Sequence, residues 1–121
     1  MSLKPSGEMY LETIYLLSQE KGTVRSIDIA SHMNYSKPSI SRAVSRLKED
    51  NYITVDKNGY IELTKSGLLI AQKIYERHTV LSNVLIRLGV DEETALEDAC
   101  KIEHVISDKS FETLKKHLEN I

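Results

Sequence analysis

The stretch SIDIASHMNYSKPSISRAVSRLKEDNYITVDKNGYIELT, residues 26–64, decides the fold because two helix patterns and a hairpin pattern follow one another directly. Residues 26–33 predict a short helix, and an Asn-Tyr pair then turns the chain. Ser36 is a typical N-cap residue, so a second helix is expected over residues 37–50, with a proline tolerated in its first turn.

The hairpin pattern comes next. Residues 52–55 and 60–64 are rich in β-branched and aromatic side chains, and an Asn-Gly pair at residues 58–59 lies between them. Asn-Gly between two such runs is the strongest short signal for a β-hairpin. A short helix, a tight turn, a second helix and a hairpin form the layout of a winged helix-turn-helix, which is a DNA-binding motif.

Helical periodicity accounts for the remainder of the chain. A Pro-Ser-Gly loop is expected at residues 5–7. Further helices are expected over residues 8–19, 65–88, 92–105 and from about 107 onwards. The fold class is therefore mainly α with a small β-hairpin wing. We expect an N-terminal winged helix-turn-helix domain over residues 1–64 and a C-terminal helical domain over residues 65–121.

Composition limits the classes of protein to consider. Of the 121 residues, 40% are hydrophobic and 28% are charged, which is typical of a globular protein. No apolar run reaches the roughly 20 residues needed to cross a bilayer, and a single cysteine cannot form an internal disulfide. These features predict a cytoplasmic protein with no membrane partner. Residues 1–88 hold 12 Lys/Arg and 9 Asp/Glu, whereas residues 89–121 hold 4 and 9, which indicates different partners for the two parts.

The second helix of the motif has the composition of a recognition helix. Residues 36–48 contain four basic side chains and no acidic one. Arg42 is long enough to reach a base edge, where a bidentate contact to guanine discriminates by roughly 1–3 kcal/mol. Serines at the helix start suit phosphate contacts, because free backbone N–H groups point there. The candidate DNA contacts are Arg25, Ser36, Lys37, Pro38, Ser39, Ser41, Arg42, Arg46 and Lys57. A winged helix that contacts only protein is the alternative for this face.

The helix predicted over residues 92–105 has polar side chains where an amphipathic helix would bury leucine or valine. Cys100, Glu103 and His104 share one face of it. A buried carboxylate needs a counter-charge, and a cation would supply one to Glu103 and Cys100 together.

Two other helices add candidate ligands. His78 interrupts the apolar stripe of the helix over residues 65–88, and Met9 and Glu12 share one face of the first helix. Taken singly, each has an ordinary explanation as a core or solvated side chain. Taken with the three residues of the later helix, they predict a metal site.

Two segments resemble the ligand segments of a known family. GEMYLETIYLL (residues 7–17) and EDACKIEHVISD (residues 97–108) are similar to those of the diphtheria toxin repressor family (DtxR/MntR) of metal-dependent transcriptional repressors. The winged helix lies between them in the right order, and the resemblance covers essentially the whole chain. It implies a homodimer, formed through a C-terminal metal-binding and dimerisation domain, that binds a palindromic operator in double-stranded DNA. The implied metal ligands are Met9, Glu12, His78, Cys100, Glu103 and His104.

The chain combines features of both branches of that family. Met9 and Cys100 match the iron-responsive branch, whereas Glu12 and a length without an SH3-like domain match the manganese-responsive branch. Ser82 and Leu96 stand where the iron branch has ancillary ligands, and neither can replace them. Sulfur ligands favour metals that come later than Mn²⁺ in the first transition series. The resemblance implies a repressor that responds to Fe²⁺ or Mn²⁺ and controls metal homeostasis, either as a two-domain form or as a shortened chain. Zn²⁺, Co²⁺ and Ni²⁺ are expected to bind in vitro.

Two other classes of function compete with this one. A metal-independent winged-helix regulator that responds to a small molecule or a partner would keep the polar residues as hydrogen-bonded core groups. An enzyme would use Cys100 with His104, or His78, as nucleophile and base, but no glycine-rich turn or oxyanion donor accompanies them. We therefore expect a transcriptional repressor, not an enzyme, in which metal binding orders the dimer for operator binding.

Overall fold

The computed structural model describes residues 3–120, and its architecture is mainly helical with one antiparallel hairpin. The elements, in chain order, are α1 (Pro5–Lys21), α2 (Ser26–Met33), α3 (Lys37–Glu49), β1 (Ile53–Val55), β2 (Ile61–Leu63), α4 (Lys65–Arg87), α5 (Glu92–Ile102), α6 (Asp108–His117) and a 3₁₀ turn (Leu118–Asn120). This order confirms the predicted fold class. The chain divides into two units between Gln72 and Lys73.

The first helix begins earlier than predicted. The segment 5–7, expected as a loop, forms the first turn of α1. Proline is favoured at the start of a helix because its missing N–H would have no intrahelical partner there. At the other end, Gly22 has a positive φ of 83° and its N–H bonds to the carbonyl of Ser18 at 3.0 Å, which ends the helix as expected.

The helix-turn-helix forms from the local signals that predicted it. Ser36 Oγ accepts a hydrogen bond from the backbone N–H of Ser39 at 3.4 Å and so caps α3. Helices α1, α2 and α3 and the hairpin share one hydrophobic core, into which α3 buries its apolar stripe. The buried members of this core are Tyr10, Leu11, Ile14, Leu17, Val24, Ile29, Ile40, Val44, Leu47, Ile53, Ile61 and Ala71.

The wing is a short, tightly closed hairpin. β1 and β2 pair antiparallel with Ile53 opposite Leu63. The carboxylate of Asp56 accepts hydrogen bonds from the backbone N–H groups of Asn58, at 2.8 Å, and Tyr60, at 2.9 Å. These bonds fix the turn locally, in the manner of an Asx-turn, so the wing tip keeps a defined shape.

The start of α4 packs against the backbone that precedes β1. Thr64 caps α4 through a 3.2 Å hydrogen bond from the N–H of Gly67 to its Oγ1. The N–H of Thr64 itself donates to the carbonyl of Tyr52 at 3.0 Å. That carbonyl lies so close to α4 that a Cβ at position 67 would come within 2.0 Å of its oxygen. Glycine is therefore the residue that lets the hairpin and α4 meet here.

The second unit comprises the end of α4 with α5 and α6. Its hydrophobic core is formed by Val80, Leu81, Val84, Ala99 and Phe111. α5 ends at Ile102, so the predicted extension to residue 105 is wrong, and Glu103 is its C-cap. Ser107 then caps α6 by accepting from the N–H of Ser110 at 3.1 Å. Within residues 3–120, no helix has the length and apolar character of a membrane span.

Candidate metal centre and DNA-binding face

A fully buried carboxylate lies at the centre of the candidate metal site. The side chain of Glu103 has 0% of its surface exposed. His78 on α4 places Nδ1 2.8 Å from Oε2 of Glu103, and Nε2 of His104 lies 3.4 Å from Oε1. No residue between 3 and 120 makes a hydrogen bond of acceptable geometry to Oε1. Burial of an acceptor without a hydrogen bond is costly, and a cation at this oxygen would remove that cost.

The neighbouring side chains extend the donor set. Cys100 lies three residues before Glu103 on α5 and is partly buried. His104 was predicted to lie on α5, but it follows the end of that helix. Its side chain is only 4% exposed. Imidazole nitrogen, carboxylate oxygen and thiolate sulfur together suit a borderline divalent transition metal. The residues of this unit therefore fit the ion that the sequence predicts.

The remaining candidate ligands lie in the first unit. Glu12 is 8% exposed on α1, and Met9, one turn earlier, is partly buried. The carbonyl of Met9 accepts a hydrogen bond from Thr13 Oγ1 at 2.9 Å. The participation of Met9 and Glu12 in a metal site stays a prediction.

The residues at the two ancillary positions have other roles. Ser82 donates from its hydroxyl to the carbonyl of His78 at 2.7 Å, which fixes the α4 backbone beside the site. Leu96 is 41% exposed on α5. Neither side chain offers a metal ligand.

Sequence reasoning missed one buried charged residue beside the centre. Arg77, adjacent to His78 on α4, is 5% exposed. A signal for it does exist in the sequence. Arg77 stands three, four and seven residues before Val80, Leu81 and Val84, so it occupies the apolar stripe of its own helix.

The recognition helix presents its basic side chains to solvent. Lys37, Ser41, Arg42 and Arg46 are exposed on α3, whereas its apolar positions are buried. Arg42 and Arg46 also line a surface cleft of about 320 Å³ that reaches the first turn of α1. Lys4 lines the same cleft and is a basic residue that was not among the predicted DNA contacts.

Arg25 connects the helix-turn-helix to the wing. Its Nη2 donates to the carbonyl of Asn58, and its guanidinium lies 5.2 Å from the centroid of the Tyr60 ring. A cation near an aromatic face is attracted to it. Arg25 therefore holds the wing tip while remaining exposed beside it, and Lys57 is exposed on the tip itself.

Comparison with known families covers both units. Residues 2–66 match a family model described as the iron dependent repressor, N-terminal DNA binding domain. Residues 64–121 match the iron dependent repressor, metal binding and dimerisation domain. The chain belongs to the iron-dependent repressor family.

Similar sequences include several members of the iron-dependent repressor family that are named transcriptional regulators. MntR of Geobacillus thermodenitrificans is 38% identical over 103 residues, which are 85% of this chain and 73% of that protein. MntR of Bacillus subtilis is 36% identical over 110 residues, which are 91% of this chain and 78% of that protein. The uncharacterized regulator MJ0568 of Methanocaldococcus jannaschii is 34% identical over 119 residues, with 97% and 95% covered.

Solved structures of the same kind superpose closely on the chain. The manganese regulator SloR has a TM-score of 0.84 at 30% identity, covering 100% of this chain and 56% of its own. A manganese-dependent transcriptional repressor complexed with manganese has a TM-score of 0.83 at 25% identity. The match covers 93% of this chain and 52% of that one. The chain thus spans about half the length of these solved proteins. It is a metal-dependent transcriptional regulator of the DtxR/MntR type, a family of DNA-binding repressors and not of enzymes.

Proposed function

We propose that this repressor responds to iron or manganese and controls metal homeostasis, acting in the cytoplasm as a homodimer on a palindromic operator. The observation that carries the proposal is the buried carboxylate of Glu103, which lies between two imidazoles and leaves one oxygen without a hydrogen bond. Residues 1–64 would read the DNA, and residues 65–121 would bind metal and dimerise. Similarity to the manganese regulator SloR supports a manganese response, and the match to the iron dependent repressor family supports an iron response.

The proposed ligands come from both units. The ligands are Met9, Glu12, His78, Cys100, Glu103 and His104. When bound, the divalent ion supplies the positive charge that the carboxylates and the thiolate share. The sulfur ligands shift preference towards Fe²⁺ over Mn²⁺, although raw affinity would also admit Co²⁺, Ni²⁺ and Zn²⁺ in vitro.

The proposed DNA contacts lie on the helix-turn-helix and the wing. Arg42 is assigned to a base edge, because it is exposed on α3 and long enough for a bidentate contact. Pro38 is assigned an apolar contact to a thymine methyl. Phosphate contacts are assigned to Arg25, Ser36, Lys37, Ser39, Ser41 and Arg46, and Lys57 on the wing is assigned to the backbone or the minor groove. Phosphate contacts position the protein on the duplex without reading its sequence.

Control of DNA binding follows from ligands that belong to different units. Met9 and Glu12 restrain α1, which packs in one core with α2 and α3. Glu103 and His104 restrain the turn that precedes α6. When all of these ligands bind the ion, the recognition helices of a dimer keep the spacing of two half-sites. A metal shifts this equilibrium only through its higher affinity for the binding-competent state, and about 3 kcal/mol of coupling corresponds to roughly a hundredfold in DNA affinity.

The first test measures DNA binding with and without metal. A duplex enriched from a random pool by the Mn²⁺-loaded protein is titrated under anaerobic conditions with Fe²⁺, with Mn²⁺ or with a chelator. We expect about a hundredfold tighter binding with either metal. Equal affinity in all three conditions would rule out the switch and support a metal-independent regulator.

A matched variant separates the two halves of the protein in that test. Arg42→Ala removes a proposed base contact without touching any proposed metal ligand. It is expected to lose about 1–3 kcal/mol of discrimination between the enriched duplex and random DNA. Calorimetric titration with Mn²⁺ should give the wild-type affinity, since the metal site is intact.

A further inference from the structure

Arg77 is a buried charge beside the candidate metal centre. It precedes His78 on α4, and its side chain is 7% exposed. A buried charge costs free energy unless it is paired and hydrogen-bonded. The buried position of Arg77 is therefore stable only if its guanidinium group is hydrogen-bonded and paired with nearby groups.

Those partners all lie on the segment that follows α5. Nη1 donates to the carbonyl oxygen of Glu103 at 3.1 Å and to that of Ile106 at 2.7 Å. Nη2 donates to Oδ1 of Asp108 at 2.5 Å, and the guanidinium lies 5.5 Å from the centroid of the Phe111 ring. One side chain thus holds the beginning and the end of the turn between α5 and α6.

The turn also has backbone hydrogen bonds of its own. Its backbone N–H groups at Val105 and Ile106 both donate to the carbonyl of Ile102, at 3.0 Å each. The side chain of Val105 is exposed, with 77% of its surface accessible. Two neighbouring residues of α4 therefore contact Glu103 at different atoms. His78 contacts its carboxylate and Arg77 its carbonyl.

We propose that Arg77 is a positioning residue of the metal centre, which presets the carboxylate of Glu103 and the ring of His104 before an ion binds. This inference rests on the proposed function, because it assigns those two side chains to a metal. A cation next to a metal site opposes metal binding, and Asp108 offsets that charge. Asp108 also pairs with Lys73 at 3.0 Å. Hydrogen bonding from Lys73, and then from Arg77, keeps the pKa of the Asp108 carboxyl below its usual range.

Arginine suits this task better than lysine. Its planar fork directs separate N–H groups at two carbonyls and a carboxylate at once. A lysine ammonium carries its three donors on one atom and cannot span the same acceptors. The structure therefore predicts that Arg77→Lys recovers only part of what a neutral substitution loses.

The test compares metal binding by the full chain and its variants, with Mn²⁺ or Co²⁺ alone as the probe. Calorimetry gives the affinity, and the visible absorption of Co²⁺ reports the ligand geometry. We expect Arg77→Met to weaken both affinities by about tenfold to a hundredfold and to change the Co²⁺ bands. Arg77→Lys should lie between Arg77→Met and wild type.

Arg87→Met is the matched control. Arg87 is on the same helix and also donates to a backbone carbonyl, that of Leu118 at 2.9 Å, but it is exposed and lies away from the turn. It should keep the wild-type affinity and spectrum. If Arg77→Met fails to fold, Asp108→Asn tests the same set of contacts, because it weakens the Arg77–Asp108 ion pair at an exposed position. We expect a smaller loss of metal affinity from this variant.

The outcomes separate this inference from the proposed function. A wild-type protein that binds neither metal would overturn both. A wild type that binds, together with Arg77 or Asp108 variants of unchanged affinity and Co²⁺ spectrum, would overturn the positioning role alone. Thermal unfolding of the metal-free proteins shows whether a variant is folded at the assay temperature. A lower melting temperature with unchanged metal binding would mark Arg77 as merely structural.

Discussion

Replacing Glu103 with glutamine is expected to abolish the metal response of DNA binding while leaving the weak metal-free binding unchanged. Glutamine keeps the shape of the buried side chain but removes its charge, so the site loses its central anionic oxygen. We expect the affinity for Mn²⁺ to fall by at least about a hundredfold and the roughly hundredfold gain in DNA affinity with metal to disappear. Calorimetry and fluorescence anisotropy with a labelled duplex measure the two effects.

Glu76→Gln is the control for this substitution. Glu76 lies on the same helix as His78, but it is exposed and pairs with Lys115 at 3.1 Å on the surface. Exposed ion pairs contribute little, so the variant should bind metal and DNA as the wild type does. A Glu103→Gln protein that still tightens on DNA when Mn²⁺ is added would contradict the assignment of Glu103 as a ligand.

The largest effect on stability is expected from Gly67→Ala. The added methyl would lie 2.0 Å from the carbonyl oxygen of Tyr52 and 3.0 Å from its carbon. Both are backbone atoms, so relief requires the hairpin and α4 to move apart. Overpacking typically costs 1–3 kcal/mol, and we expect a loss of about 3 kcal/mol in the free energy of unfolding. Urea denaturation followed by circular dichroism measures it.

Gly7→Ala provides the matched comparison, since Gly7 is also helical. Its added methyl would meet only the side chain of Leu3, at 2.7 Å from the nearest atom, and that side chain can rotate away. Alanine is favoured over glycine in helices by up to about 1 kcal/mol. The variant should therefore be as stable as the wild type or slightly more so. Equal stabilities for the two alanine variants would show that the close approach at residue 67 is not tight.

Much of the fold could be predicted because its signals are local. Ser36 and the Asn-Gly pair act within a few residues of themselves, so the caps and the hairpin follow from short patterns. The start of α1 was missed for a local reason as well. A proline near the N-terminus reads as a loop residue unless its preference for the first helical position is given more weight.

The end of α5 could not be predicted because a distant residue sets it. The apolar pattern continues through Val105 and Ile106, so periodicity extends the helix. In the structure, Arg77 takes the carbonyls of Glu103 and Ile106, which a longer helix would offer to its own later N–H groups. The competition is between a local pattern and a side chain 26 residues away.

The candidate site shows the same division. Cys100, Glu103 and His104 were found together because they fall within five residues of sequence. The 2.8 Å contact between His78 and Glu103 joins residues 25 positions apart, so spacing alone could not place it. His78 was a candidate because it interrupts the apolar stripe of its own helix, and the resemblance to the DtxR/MntR family added support. Packing of α4 against α5 and its following turn supplies the geometry.

The proposed switch depends on one divalent ion that Glu103 binds together with a ligand from α1, and anomalous diffraction from crystals grown with Mn²⁺ or Co²⁺ tests it most directly. We expect an anomalous peak within bonding distance of the Glu103 carboxylate, with His78, His104 and Cys100 around it and with Met9 or Glu12 completing the sphere. No peak at Glu103, or an ion bound there without any ligand from α1, would contradict the claim that metal couples the two units.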